Sequence, residues 1–402
     1  MNKKSIILFA AAALALTACN NDEALTTVQE QPDIVLEPVF QNSITRADSK
    51  TTMLEEVRFH VWADMVNVSA EPKVLVKSLI NAWALETKGN PPFTFKYGNT
   101  PQKWPGTNAL YFYAMHANFS GTTNSTITEE ESLFPMTQAV YASYGNMTDE
   151  QKEVFNPNNC DPNNFLVEPV HIVRADQTHE NDYVASDLLY GVLANKTTST
   201  QALPLVFYHM LSKVVVNIKV GDGITKAELE TSTVTIENVK CQVKFLPKKL
   251  KLNDGDTNVL EDESALADVA TRESMLTAQG ATTNITLGTV INAKNTATAD
   301  IKGEAAIVVP QEFTEANKTT QGINITWSGK NVFIPFYGNL PNTGTELEPE
   351  YKFESGKVYT FNITLDHIGT HYGFNPTVTA WGTAQERAID VTTTTNTNNN
   401  NP

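Results

Sequence analysis

Apolar and polar residues alternate one by one in short segments scattered along this whole sequence. Val57, Phe59 and Val61 alternate with Arg58, His60 and Trp62, and Leu110, Phe112 and Ala114 alternate with Tyr111 and Tyr113. Further on, Val214, Val216, Ile218 and Val220 share one face against Val215, Asn217 and Lys219. Ile323, Ile325 and Trp327 repeat the pattern, as do Tyr359, Phe361, Ile363 and Leu365. A strand points successive side chains to opposite faces, so this period marks half-buried β-strands. Gly221-Asp222-Gly223 and Asn253-Asp254-Gly255-Asp256 are turn signals between such runs. Many short strands with polar connections argue for an all-β chain built of sandwiches rather than a parallel α/β sheet.

At 402 residues the chain is long enough for two such units. The polar run Thr197-Thr198-Ser199-Thr200-Gln201 precedes the strand that starts at Leu205, which places a boundary near 198–203, with domains at 47–200 and 201–391. Helix is scarce. Thr148 to Gln151 reads as a capping box, and 261–279 as a second short helix. The stretch 116–182 reads as a loop-rich insertion on the first sandwich. The tail 392–402 holds only Thr, Asn and Pro, a composition that cannot build a core and is expected to be disordered.

The N-terminus carries a different message. Lys3 and Lys4 are followed by an apolar run from Ile6 to Leu16 and then by Leu16-Thr17-Ala18-Cys19, the layout of a secretory signal over 1–18. A small residue directly before a cysteine resembles the lipobox of bacterial lipoproteins, so Cys19 is the expected acylated N-terminus and 19–46 a lipid-anchored tether and propeptide. The formal net charge of −16 repels phosphate backbones and argues against nucleic acid as a partner. Cys160 and Cys241 are the other cysteines; they either pair in an oxidising compartment or stay free and buried.

Several motifs resemble one family in order. Trp104-Pro105 followed by Ala109 to Ala114 is similar to the "W-P … hydrophobic-F-Y-A" strand of the fimbrillin-like proteins of Bacteroidetes. Asp187-Leu188-Leu189-Tyr190 and the run from Leu205 through His209 to Lys213 resemble its central signature. Ala306 to Pro310, Gly356 to Tyr359 and Val378 to Trp381 resemble its C-terminal half, and Ile44-Thr45-Arg46-Ala47 resembles its arginine-specific trimming site. The resemblance implies two tandem transthyretin-like β-sandwiches, export to the outer membrane as a lipoprotein, and assembly into a surface pilus. It implies that cleavage between Arg46 and Ala47 releases an N-terminal strand whose place a neighbouring subunit fills. Residues 33–45 fit that strand, with Ile34, Leu36, Pro38 and Phe40 on one face and Val35, Glu37 and Val39 on the other. A permanent first strand, or a plain linker, is the alternative for the same residues. The expected partners are other pilus subunits, the outer membrane and a surface ligand. A donor strand after Trp381 would have only Ala388, Ile389 and Val391, so the Val378–Trp381 strand is the other donor candidate, and a tip, accessory or anchor role is as open as a stalk role.

No catalytic, cofactor or metal residue is expected. The histidines include no H-E-x-x-H; His367 and His371 are four apart but sit beside Gly369. Asp254 to Asn258 begins like a calcium loop yet lacks the glycine and glutamate that complete one. A glycan-binding surface lipoprotein is the second function class. It requires Trp62, Trp83, Trp104, Trp327 and Trp381 to form an exposed platform rather than core.

Overall fold

The computed structural model describes residues 31–40, 58–88, 94–96, 102–117, 170–221, 223–289, 301–365 and 377–381. The chain is all-β, with few and short helices. Its first strands are β1 (Leu36–Phe40), β2 (Arg58–Asn67), β3 (Val74–Lys88), β4 (Thr94–Lys96), β5 (Ala109–His116), β6 (Val170–Ile172), β7 (Leu189–Lys196) and β8 (Leu203–His209). All but β6 join one sheet in the order β1-β8-β7-β5-β2-β3-β4. Every pairing in it is antiparallel except β1 with β8. The two edge strands, β1 and β4, lie against each other, so the sheet curls around its own core. Phe59, Val61, Leu110, Phe112, Leu205 and Phe207 fill that core, with the Phe59 and Phe207 rings 4.5 Å apart.

The other face of this sheet is buried as well. Trp62, Tyr111, Tyr113 and Tyr190 belong to a second core shared with the rest of the chain. This explains why β5 is buried along its whole length, as a strand covered on both faces must be. The cover comes from residues 248–253. Tyr190 donates its hydroxyl to the Lys248 carbonyl at 3.0 Å, and Lys249 Nζ meets the buried Asp64 carboxylate at 2.7 Å. Asn253 bonds both the N–H and the carbonyl of Lys73.

The second half contains β9 (Ser212–Val220), β10 (Thr233–Phe245), β11 (Leu276–Thr286), β12 (Gly288–Thr289), β13 (Ile301–Val308), β14 (Gln311–Phe313), β15 (Gly322–Trp327), β16 (Lys330–Pro335), β17 (Tyr351–Phe353), β18 (Lys357–Leu365) and β19 (Thr377–Ala380). One sheet runs β11-β10-β15-β16 and another β12-β13-β9-β18-β19, with β14 and β17 as a separate pair. Val214, Val216 and Ile218 from β9 and Phe361 and Ile363 from β18 are buried in the same core as Ile236, Ile323 and Ile325 from the facing sheet. The alternating faces expected at β9, β15 and β18 are therefore the buried faces.

Two segments sit elsewhere than their sequence position suggests. β8 lies beyond the expected boundary near 198–203, but it pairs with β7 and β1 and supplies Leu205 and Phe207 to the first core. The Thr/Ser run before it is the connection between two paired strands. β6 falls in the stretch read as an insertion on the first sandwich, but it pairs with Gln242–Lys244 of β10 in the second half. The passage between halves, Met210 and Leu211, is fully buried, and Met210 N–H donates to Leu188 while Gly356 N–H donates to Leu211. The helix expected in 261–279 is a 3₁₀ turn (Glu263–Ala267) and α3 (Val269–Glu273), after α1 (Glu180–Ala185) and α2 (Lys226–Glu230), and it gives way to β11 at Leu276. The Thr148 capping box lies outside the described residues.

His171 on β6 makes the crossing pH-sensitive. It is fully buried, bonded to the Ser186 carbonyl at 2.9 Å, and burial lowers its pKa from 6.5 to about 4 against the opposing pull of that bond. His116 and Arg174 push the same way, while Asp187 opposes. Between those values the unfolded chain binds a proton that the folded chain refuses, so stability falls as the pH drops from the unfolded value towards the folded one. The expected loss from this group is about 2 kcal/mol at pH 5 relative to pH 7. Urea midpoints at the two pH values, compared between the parent and His171→Asn, measure it. An equal pH slope in both proteins would rule the residue out as the cause.

Candidate assembly site at the sheet edge

The segment 31–40 is held from two sides. On one side Trp104 N–H donates to the Pro32 carbonyl at 3.1 Å and Ile34 N–H to the Gln102 carbonyl at 2.7 Å. On the other, Leu203 N–H donates to the Val35 carbonyl at 2.9 Å, and parallel pairing with β8 runs from Leu36 opposite Leu203 to Phe40 opposite Phe207. Ile34 and Leu36 are 0% and 1% exposed, whereas Val35 is 37% exposed. Pro38 is buried too, so the expected inward face holds for the residues whose side chains are described. Proline has no N–H to give a ladder, which restricts it to positions such as this edge strand. Lys103 and Asp33 form a 2.7 Å ion pair, but both side chains are nearly half exposed and such a pair contributes at most about 1 kcal/mol. The apolar face, rather than the ion pair, holds the segment.

β1 is at one end of the sheet and β2, the next strand in the chain, is four places away in the order. Residues 41–57 connect them, and Arg46 and Ala47 belong to that stretch. Those two residues, Cys19 and the side chain of Phe40 lie outside the described residues.

At the other terminus, Val378–Trp381 is engaged within its own chain. β19 pairs antiparallel with β18, and Trp381 N–H donates to the Gly356 carbonyl at 2.7 Å. The Trp381 indole stacks on the His209 imidazole, centroids 3.7 Å apart and planes 6° apart. His209 Nδ1 is in turn 2.9 Å from the Asp187 carboxylate. Asp187, His209 and Trp381 lie in three separate sequence motifs, and nothing in their spacing shows that they meet.

Trp62, Trp104, Trp327 and Trp381 are between 2% and 8% exposed, so these four are core and build no platform. The Trp83 side chain, His367, His371 and Cys160 lie outside the described residues. In the loop at Asp254–Asn258, Asp256 uses its carboxylate to accept the N–H groups of Leu252 and Asn253, bonds that hold its pKa down. Among the described residues no group of three potential ligands converges. Cys241 is buried and unpaired, and burial pushes its thiol up to about 12, which removes it as a nucleophile at neutral pH.

The sequence profile of a family described as fimbrillin-like matches residues 45–381. No curated protein matches the chain in sequence. Among solved structures, a candidate cell adhesion protein of Bacteroides uniformis is 17% identical with a TM-score of 0.49, covering 87% of this chain and 98% of its own. A candidate cell adhesion protein of Bacteroides ovatus is 12% identical with a TM-score of 0.46, covering 87% and 98%. The tip fimbrial protein Mfa3 of Porphyromonas gingivalis, truncated at its C-terminus, is 11% identical with a TM-score of 0.38, covering 87% and 100%.

Proposed function

The chain belongs to the fimbrillin-like family, and from that membership we propose that it is a pilus subunit exported as a lipoprotein through Cys19 and primed for assembly by cleavage between Arg46 and Ala47. The observation that carries this reading is the placement of β1. It is joined to the rest of the sheet through residues 41–57 alone on its C-terminal side, and its pairing partner is β8, not β2. A cut anywhere in 41–57 therefore turns β1 from a built-in strand into one held only by hydrogen bonds and by Ile34, Leu36 and Pro38. An incoming strand of the same alternation can then take over the slot beside β8, with backbone bonds supplying affinity and the inward pockets supplying register. Until the cut, the tether keeps the slot filled and the edge protected.

Membrane attachment rests on Cys19 in this reading. Cys19→Ala should move the protein from the detergent-extracted membrane fraction to the soluble fraction. A mutant that still needs detergent would remove the lipid anchor from the scheme and leave the strand exchange standing.

A further inference from the structure

We propose a second, separate contact between copies of this chain, in which the loop at Thr345–Glu350 of one copy seats Leu347 on the edge of β3 at Val74–Val76 of the next. It involves neither β1 nor Arg46 and does not rest on strand exchange.

The receiving surface is the start of β3. Val74, Leu75 and Val76 are 49%, 47% and 44% exposed, three consecutive apolar residues on a strand. Among the described residues, the side of β3 away from β2 is paired only at Glu86–Lys88, with β4. The start of the strand thus presents a sheet edge with apolar side chains on both faces, a surface that proteins normally cover or blunt with charge. In sequence the run is Lys73-Val74-Leu75-Val76-Lys77. Were two such edges to meet, the basic residues Lys73 and Lys77 that bound each apolar run would be brought together. That juxtaposition opposes a symmetric dimer, so the edge suits an apolar group flanked by acids.

The same chain displays such a group. Leu347 is 95% exposed and lies in the run Glu346-Leu347-Glu348-Pro349-Glu350. The loop around it is built rather than loose. Asn342 Oδ1 accepts the N–H groups of both Gly344 and Glu350 at 2.9 Å, Thr343 N–H donates to the Glu350 carbonyl, and Thr345 N–H to the Glu348 carbonyl. A Cβ at Gly344 would collide with the Glu348 carbonyl oxygen, so the turn closes only with glycine there. A closed loop brings side chains to a partner, not a ladder: Leu347 onto the exposed run Val74–Val76, with the acids Glu346 and Glu348 matching the basic residues that flank that run in sequence.

The exposures show that the two surfaces do not cover each other within one molecule. A contact between two different surfaces of identical copies is heterologous, so it adds copy to copy, into an open row or a ring according to its rotation, instead of pairing the same surface twice in a symmetric dimer.

Leu75→Cys and Leu347→Cys, each made in full-length Cys19→Ala, Cys160→Ser protein and purified in detergent, test the contact with a short bifunctional maleimide. Mixing the two variants should give a cross-linked dimer, either variant alone should give little, and the double variant should give a ladder. Adding Glu346→Lys and Glu348→Lys to the Leu347→Cys protein should lower the yield about tenfold, and Lys73→Glu with Lys77→Glu on the Leu75→Cys protein should restore it. A mixture that cross-links no better than either variant alone overturns the proposal, as does a charge swap that restores nothing. Unchanged melting of the Leu347→Cys protein separates a lost contact from a lost fold. Because Arg46 is untouched, failure here leaves strand exchange intact, and success with an Arg46→Ala protein would show that the two are independent.

Discussion

Treating the purified precursor with an arginine-specific protease should cut after Arg46 and leave a chain that still holds β1. Only stripping the released segment, by dilution or mild urea, should then collapse its stability. The reason lies in what holds the strand. Ile34 and Leu36 are buried as completely as any side chain in the molecule, and Pro38 is buried beside them. Re-exposing a large aliphatic side chain costs about 1.5–3 kcal/mol, so the first two alone represent roughly 3–6 kcal/mol. Whole domains are typically stable by about 5–15 kcal/mol, so losing this strand removes a large share of the first half's margin. The emptied slot would leave Phe59, Leu205 and Phe207 facing water beside an unpaired β8 edge, a surface prone to pair with any available strand.

The expected readouts are a stripped product with a much lower urea midpoint and a strong tendency to multimerise, and recovery of both when a peptide spanning residues 31–41 is added. Leu36→Ala in the uncut chain should cost about 2–5 kcal/mol and make release after cutting faster. A stripped product that stays monomeric with the parent's midpoint would mean that the segment is a linker resting on the surface, and the priming scheme would fall.

How much of this was legible beforehand varied with the range of the interactions involved. The inward set at Ile34, Leu36 and Pro38 and the faces of β9, β15 and β18 follow from period two, because a strand's own geometry sorts its side chains. Which strands share a sheet does not follow, because pairing is decided by surfaces far apart in sequence. The Thr/Ser run before β8 reads in sequence as the link to a second unit, yet the partners of β8 are β7 and β1. β5 read as half-buried on its alternation, but its second face is covered by Lys248–Leu250, more than a hundred residues later, where Tyr113 Oη receives the Leu250 N–H at 3.4 Å. The Asp187–His209–Trp381 stack joins three separate motifs through a sheet edge that only the fold brings together.

Arg272→Met should destabilise the second half by about 4 kcal/mol, more than the loss of any surface charge could. Arg272 is 5% exposed, and its hydrogen bonds go to neutral groups. Nη1 donates to the carbonyls of Leu266 and Ala267 at 2.6 and 3.0 Å, Nη2 to the Ser355 carbonyl at 2.8 Å, and Nε to the Ser355 hydroxyl at 3.0 Å. Methionine keeps much of the length and apolar contact but leaves three carbonyls without these donors, at about 1–3 kcal/mol for each one that stays dry. Burial pulls the guanidinium's pKa down, yet arginine retains its charge at any ordinary pH, so the defect should not depend on pH between 6 and about 9. Lysine should rescue only part of the loss, because one ammonium cannot span the 266–267 carbonyls and Ser355 as a planar fork does. Gly356→Ala should fail at the same place for a second reason: φ there is +66°, and the added Cβ would stand 2.5 Å from Arg272 Nη2. The effect should also reach the passage between halves. Ser355 Oγ, held by Arg272, donates to the Met210 carbonyl at 2.7 Å, and Gly356 N–H donates to Leu211. Urea unfolding followed by tryptophan fluorescence gives the stability, and limited proteolysis at Met210–Leu211 gives the reach. If Arg272→Met unfolds within about 1 kcal/mol of the parent, water replaces the guanidinium's bonds and the clamp is not structural. If it is much less stable but the passage stays protected, the clamp secures α3 alone, and the rigidity of the junction must come from Met210 N–H on Leu188 instead.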